Sequence, residues 1–132
     1  MKMKMKKLFL MVFAFVIMFS SIGMQSVSVK AAESVPVITY RAHVQNKGWL
    51  SSVLAGQTAG TTGQALPMES FDIVIKDSAY KNNIQYRSHI RNKGWESQWK
   101  TSGQISGTTG QALPLECVQI KLTGTLAQKY DV

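Results

Sequence analysis

The segment YRAHVQNKGW, residues 40–49, is written again as YRSHIRNKGW, residues 86–95, and the octapeptide GTTGQALP of residues 60–67 returns unchanged as residues 107–114. Seven of the ten positions in the first block are identical at an offset of 46, while the second block lies at an offset of 47, so one residue is inserted between them. Ser51, Gly56 and Gln57 recur between the blocks, and Glu69 and Ile73 recur after them as Glu116 and Ile120. The duplication runs from Tyr40 to Ile75 and from Tyr86 to Leu122. A repeat of that length marks one supersecondary unit that cannot bury its apolar face alone and must stack on a copy of itself.

Each copy reads as β structure. Ile38, Tyr40, Ala42 and Val44 alternate with Thr39, Arg41, His43 and Gln45, and the second copy sets Ile84, Tyr86, Ser88 and Ile90 against Gln85, Arg87, His89 and Arg91. That period of two predicts a half-buried strand. A second strand follows the glycine turn, with Phe71, Ile73 and Ile75, then Val118, Ile120 and Leu122, on one face and Asp72 and Lys76, then Gln119 and Lys121, on the other. This parity places Cys117 outward and sets Glu69 and Glu116 in line with the apolar face. A short extended segment, Leu50 to Leu54 or Glu96 to Lys100, lies between the tryptophan and the glycine turn. Asn46-Lys47-Gly48 and Asn92-Lys93-Gly94 are reversal signals that favour positive φ, and Gly60, Gly63, Gly107 and Gly110 bracket Thr-Thr pairs in a tight loop. That loop lacks the lysine and following helix of a phosphate cradle.

The N-terminus carries a different signal. Lys2, Lys4, Lys6 and Lys7 precede an apolar run from Leu8 to Phe19, and Val29 and Ala31 are small residues at the positions a signal peptidase reads. Residues 1–31 are expected to be a signal peptide, leaving no stable membrane span after cleavage, because the run falls short of the roughly 20 apolar residues of a spanning helix. Five of the fifteen basic residues lie in that segment and all seven acids lie beyond it, which leaves ten against seven, a net of about +3. Nucleic acid is therefore not an expected partner, since that function needs a concentrated basic face. The single Cys117 has no intramolecular partner. The organisation expected is a linker over 32–37, repeats over 38–76 and 84–122, a linker over 77–83 and a linker-like tail over 123–132.

The pattern Tyr-Arg-x-His-(Val/Ile)-x-Asn-x-Gly-Trp, then Gly-Thr-Thr-Gly-Gln, then Leu-x-(Met/Leu)-Glu and an alternating strand, resembles the clostridial hydrophobic repeat with a conserved tryptophan, the ChW repeat. Pro67 and Pro114 stand where that family often carries a basic residue, and two copies stand where the resemblance implies three or more. The C-terminal tail reads like the segment that precedes Tyr86, as though a third copy were due, and a fragment of a longer protein is one expectation. Units closing about a pseudo-threefold axis, β-prism-like or trefoil-like, would be incomplete with two, leaving an unpaired edge and exposed apolar surface. The fold class expected is all-β, from tandem repeats of short antiparallel strands, with a possible homo-oligomer.

The side chains that carry chemistry recur once per copy. His43 and His89 do not converge within a unit, so no metal site is expected. Arg41 and Arg87 are expected to pair with Glu69 and Glu116, or those glutamates to bond the glycine loop, because a buried carboxylate needs a charge or several donors. No serine or cysteine sits in a nucleophile setting, and an acid-base pair of His43 with Glu69 would require duplicated active sites, so the chain is not expected to be an enzyme and no cofactor is implied. Trp49 and Trp95 read either as core plugs or as platforms for a sugar ring, with Gln45, Asn46, Asn92, Gln64 and Gln111 as flanking amides, and His43 and His89 read either as bonding the neighbouring strand or glycine loop or as further ligand contacts. Trp99, which this alignment sets against Val53, has no aromatic counterpart and is a further candidate.

The resemblance implies secreted or cell-surface proteins. The leading expectation is a noncatalytic extracellular module that binds plant-type or cell-surface polysaccharide, cell envelope or an extracellular protein, with avidity supplied by repetition. The alternative is a structural or adhesion module assembling through repeat pairing.

Overall fold

The computed structural model describes residues 35–132, and the expected signal peptide lies outside them. The first repeat supplies β1 (Ile38–Val44), β2 (Gly48–Trp49), β3 (Val53–Leu54) and β4 (Met68–Ile75). The second supplies β5 (Ile84–Ile90), β6 (Gly94–Trp95), β7 (Ser106–Gly107) and β8 (Leu115–Leu122), followed by one helical turn, α1 (Gly124–Ala127). The described residues are nearly all β, and the strand pairings among them are antiparallel.

Both repeats are built around the same hairpin. Asn46 and Gly48 adopt φ of 64° and 77°, and Asn92 and Gly94 adopt 65° and 79°, which turns β1 into β2 and β5 into β6. Asparagine and glycine are the residues that tolerate this left-handed region. The long strands then pair from Ile38↔Ile75 to His43↔Ser70, and from Ile84↔Leu122 to His89↔Cys117. At the next step the register shifts to Val44↔Met68 and Ile90↔Leu115. Glu69 and Glu116 are therefore the extra residues of two equivalent β-bulges, which re-aim a side chain.

The inserted residue is located by pairing. Tyr40 faces Val53 in the first repeat and Tyr86 faces Lys100 in the second, while Leu50 N donates to Ala42 O and Glu96 N to Ser88 O. Val53 thus corresponds to Lys100. The alignment of Val53 with Trp99 is corrected: the insertion falls between Glu96 and Lys100, in the segment that holds Trp99.

The second repeat lends a strand to the first. β7 leaves the second repeat to join the first repeat's sheet, giving the order β2-β1-β4-β7, while the second sheet is only β6-β5-β8. Phe71, Ile73, Ile75, Ile84, Tyr86 and Leu126 form the core between them, with Tyr86 fully buried and its ring 5.2 Å from that of Phe71. Leu126 comes from the tail expected as a linker, which instead folds into α1 and closes the core from below β8.

The two long C-terminal strands differ sharply. β4 is covered so completely that Asp72, expected on an outward face, is buried with its carboxylate 2.8 Å from Arg41 Nε. β8 ends its sheet among the described residues, and Val118 and Ile120, the counterparts of Phe71 and Ile73, are each 40% exposed.

Candidate functional site

The glycine loop of the second repeat is what covers β4. Gly107 pairs with Ser70 and Ser106 with Phe71. Thr108 N donates to Glu69 O at 2.9 Å and Gly103 N to Ile73 O at 2.8 Å, while Ile75 N donates to Ser102 Oγ at 2.8 Å. The Tyr86 hydroxyl completes the seam by accepting from Ile73 N at 3.2 Å and donating to the carbonyl of Gln104. Burial raises its pKa above the ordinary 10.0 of tyrosine, against the opposing effect of its hydrogen bond to Ile73 and with a further upward push from Asp72 and Glu96. Gly107 is required by contact: a Cβ there would stand 2.3 Å from Glu69 O.

Behind the loop, a small polar network fixes its shape. Glu96 Oε2 accepts from Ser88 N at 3.0 Å and from Ser106 Oγ, Ser106 Oγ lies 2.6 Å from Ser88 Oγ, and Glu96 Oε1 accepts from Gly107 N at 3.3 Å. The first repeat has Leu50 where the second has Glu96. Ser88 and Ser106 likewise replace Ala42 and Ala59, so three apolar-to-polar differences between the copies are the sequence signal for this network.

Where the loop passes the bulge lies a partly open pocket of about 140 Å³ lined by His43, Gln45, Asn46, Glu69, Gly110 and Ala112. Glu69 is 2% exposed, and its Oε2 accepts from Gly110 N at 3.3 Å and lies 3.1 Å from His43 Nδ1. That second approach is close enough for an ion pair but too oblique for a hydrogen bond. Glu69 Oε1 and His43 Nδ1 are both buried without a hydrogen-bond partner. Removing such groups from water costs about 1–3 kcal/mol each when nothing replaces the lost bonds.

The equivalent place in the second repeat is open. His89 and Glu116 are 34% and 40% exposed, with Nδ1 3.2 Å from Oε2, and Arg91 Nε donates to Glu116 Oε1 at 3.2 Å. Arg91 replaces Gln45 of the first repeat. The pairing of Arg41 with Glu69 and of Arg87 with Glu116 is corrected, because the bulge swings each glutamate to its histidine. Arg41 takes Asp72, Arg87 takes Gln119 Oε1 at 2.8 Å, and the expected bond from glutamate to glycine loop occurs at Glu69.

The tryptophans stand outside the buried core. Arg41 lies over Trp49 at 4.4 Å and His43 meets it edge-on at 5.4 Å; Arg87 and His89 repeat the arrangement on Trp95 at 5.2 Å and 5.3 Å. Each indole therefore props the imidazole that faces its bulge glutamate. Trp99 takes Arg87 at 4.7 Å and Lys121 Nζ at 4.0 Å over its ring. Asn46 lines the cavity, Asn92 is an exposed turn residue, Gln111 accepts from Lys93 Nζ at 2.8 Å, and Gln64 is exposed. Gly60 and Gly63 belong to the first repeat's loop, and the Tyr40 hydroxyl bonds the Gln57 carbonyl.

Among the described residues, no group of three or more His, Cys, Asp or Glu is placed to hold a metal ion, and no helix is long and apolar enough to cross a membrane. The sequence profile of the family described as Clostridial hydrophobic W matches residues 43–77 and 89–124. No curated protein and no solved structure matches the chain.

Proposed function

This chain belongs to the Clostridial hydrophobic W family, with two repeats, and from that premise we propose that it is an exported, noncatalytic module that binds hydroxyl-rich ligands of cell-surface or plant-type polysaccharide in the cavity at the repeat junction. The observation that carries this reading is Glu69 Oε1, a buried carboxylate oxygen without a hydrogen-bond partner, beside His43 Nδ1, which approaches Glu69 Oε2 but likewise makes no hydrogen bond. A sugar hydroxyl both donates and accepts, and one hydroxyl between these atoms meets both needs. Gln45 and Asn46 offer the amides that bond neighbouring hydroxyls. At about 140 Å³ the cavity is well below the roughly 300–1,000 Å³ of a drug-sized site, which suits a single sugar residue or chain end.

Trp49 serves this site through His43, since Arg41 covers one of its faces. The test is retention on insoluble cellulose, xylan and purified cell walls, with Glu69→Gln and Gln45→Ala beside the wild type. Retention by the wild type and loss in both variants, with unchanged circular dichroism, is the expected result. Equal retention by all three, or none by the wild type, contradicts the reading.

A further inference from the structure

We propose that the outer edge of β8 is a docking site for a second copy of this chain, taking that copy's Ala59–Gly60 segment as β4 takes β7. This inference is independent of the sugar reading, which concerns a cavity already complete within one chain.

The first argument is that the acceptor is present and bare. The seam on β4 uses the outward amides of Ile73 and Ile75, the carbonyls of Glu69 and Ile73, and the pairing of Ser70 and Phe71 with the loop. The same register positions on β8 are Ile120 and Leu122, Glu116, and Cys117 with Val118. No strand lies beside them among the described residues. An edge of this kind is a template for pairing with another chain.

The second argument is that the donor is present, already shaped, and equally bare. Gly56, Gly60, Gly63 and Ala65 adopt φ of 87°, 111°, 69° and 53°, against 83°, 103°, 65° and 52° for Gly103, Gly107, Gly110 and Ala112 of the docked loop. The docked glycine is pressed against backbone, with a Cβ position 2.3 Å from Glu69 O, whereas nothing lies within 4 Å of the Cβ position of Gly60. The first repeat thus holds a loop in the bound shape with no edge beneath it, so little ordering entropy opposes docking.

The third argument is the surface left to bury. Val118 and Ile120 stand with Tyr40, Ala59, Phe71 and Ile73 around an open cleft of about 260 Å³. Apolar surface of this sort is normally covered, and the occupant with both the matching loop and the matching register is another copy. Ala59 of the donor loop and Val118 and Ile120 of the acceptor strand flank this one cleft, so two copies that exchange loops across it can close on each other. The docked loop also brings Gly63 N to Glu116, as Gly110 N is brought to Glu69, which gives the second repeat's open His89–Glu116 pair a loop of its own.

Two full-length chains, each also carrying Cys117→Ser, test the register: one with Ala59→Cys, the other with Val118→Cys. Phe71 faces Ser106, so the proposal places Ala59 of one copy opposite Val118 of the next. Mixed under mild oxidation, they are expected to give a disulfide heterodimer at least several-fold more abundant than either homodimer. Light scattering of the wild type is expected to show mass rising with concentration, as a discrete oligomer or a ladder, with Val118→Lys held at the monomer while keeping its β circular dichroism. A wild type that stays monomeric throughout, or homodimers as abundant as the mixed product, overturns the proposal. Loss of sugar retention leaves these readouts untouched.

Discussion

Glu69 and Glu116 occupy the same place in the same bulge, each beside a histidine propped by a tryptophan, yet only Glu69 has been taken out of water. The difference lies outside the repeat that holds it: the loop of the second repeat lies over Glu69, and among the described residues no loop lies over Glu116. The chemistry of a site in this protein is therefore a property of a junction between two units. Arg91, standing where the first repeat has Gln45, supplies Glu116 with the partner that Glu69 Oε1 lacks.

Paired substitutions at equivalent positions break or sharpen this comparison. The largest contrast is expected between the tyrosines. Tyr86→Ala removes a fully buried ring and should cost about 3–5 kcal/mol, much of the roughly 5–15 kcal/mol that holds a domain of this size together. Tyr40→Ala, at a partly exposed ring, should cost about half as much or less by urea denaturation. Equal losses would show that the seam is not where stability resides. Next come the glycines. Gly60→Ala carries only the cost of an unfavourable φ, about 1–3 kcal/mol, whereas Gly107→Ala adds a clash with the Glu69 carbonyl and should exceed it by about 1–3 kcal/mol.

The glutamates give a smaller contrast. Glu69→Gln should destabilise by about 1–2 kcal/mol, and Glu116→Gln should fall within about 0.5 kcal/mol of wild type, as exposed sites do. The smallest effect is in pH. Tyr86 has its folded-state pKa raised above 10.0, so its contribution is complete below the unfolded value and declines as pH rises from there toward the folded one. Stability followed from pH 9 to 11 should fall more steeply in the wild type than in Tyr86→Phe, and parallel curves would remove the tyrosine from the account.

Much of this fold is legible in the residues. Alternation from Ile38 to Gln45 and from Ile84 to Arg91 gives the strands, and Asn-Lys-Gly gives both hairpins, because period and turn chemistry are local. What was illegible depends on contacts across the chain. A bulge has no sequence mark, so parity counted straight through Glu69 sets it in line with the apolar face, whereas the bulge turns it toward His43. Two residues of strand at Ser106 and Gly107 show no alternation, and nothing local says that they join the other repeat's sheet. The place of the insertion is not legible because Val53 and Trp99 are both plausible strand residues, while only the pairing with Tyr40 and Tyr86 discriminates. Of the site, the histidines, the glutamates and Asn46 are repeated residues and stand out, but the cavity exists only because two units meet.

Amide hydrogen exchange tests the central claim most directly, because it reads both edges in one sample. At low concentration the amides of Ile73 and Ile75, bonded to the Tyr86 hydroxyl and to Ser102, are expected to be protected, and those of Ile120 and Leu122 to exchange within the dead time of the measurement. Equal protection of the four amides in the dilute monomer would contradict the account, since it would mean that β8 has a cover of its own and that the two repeats do not differ at the junction.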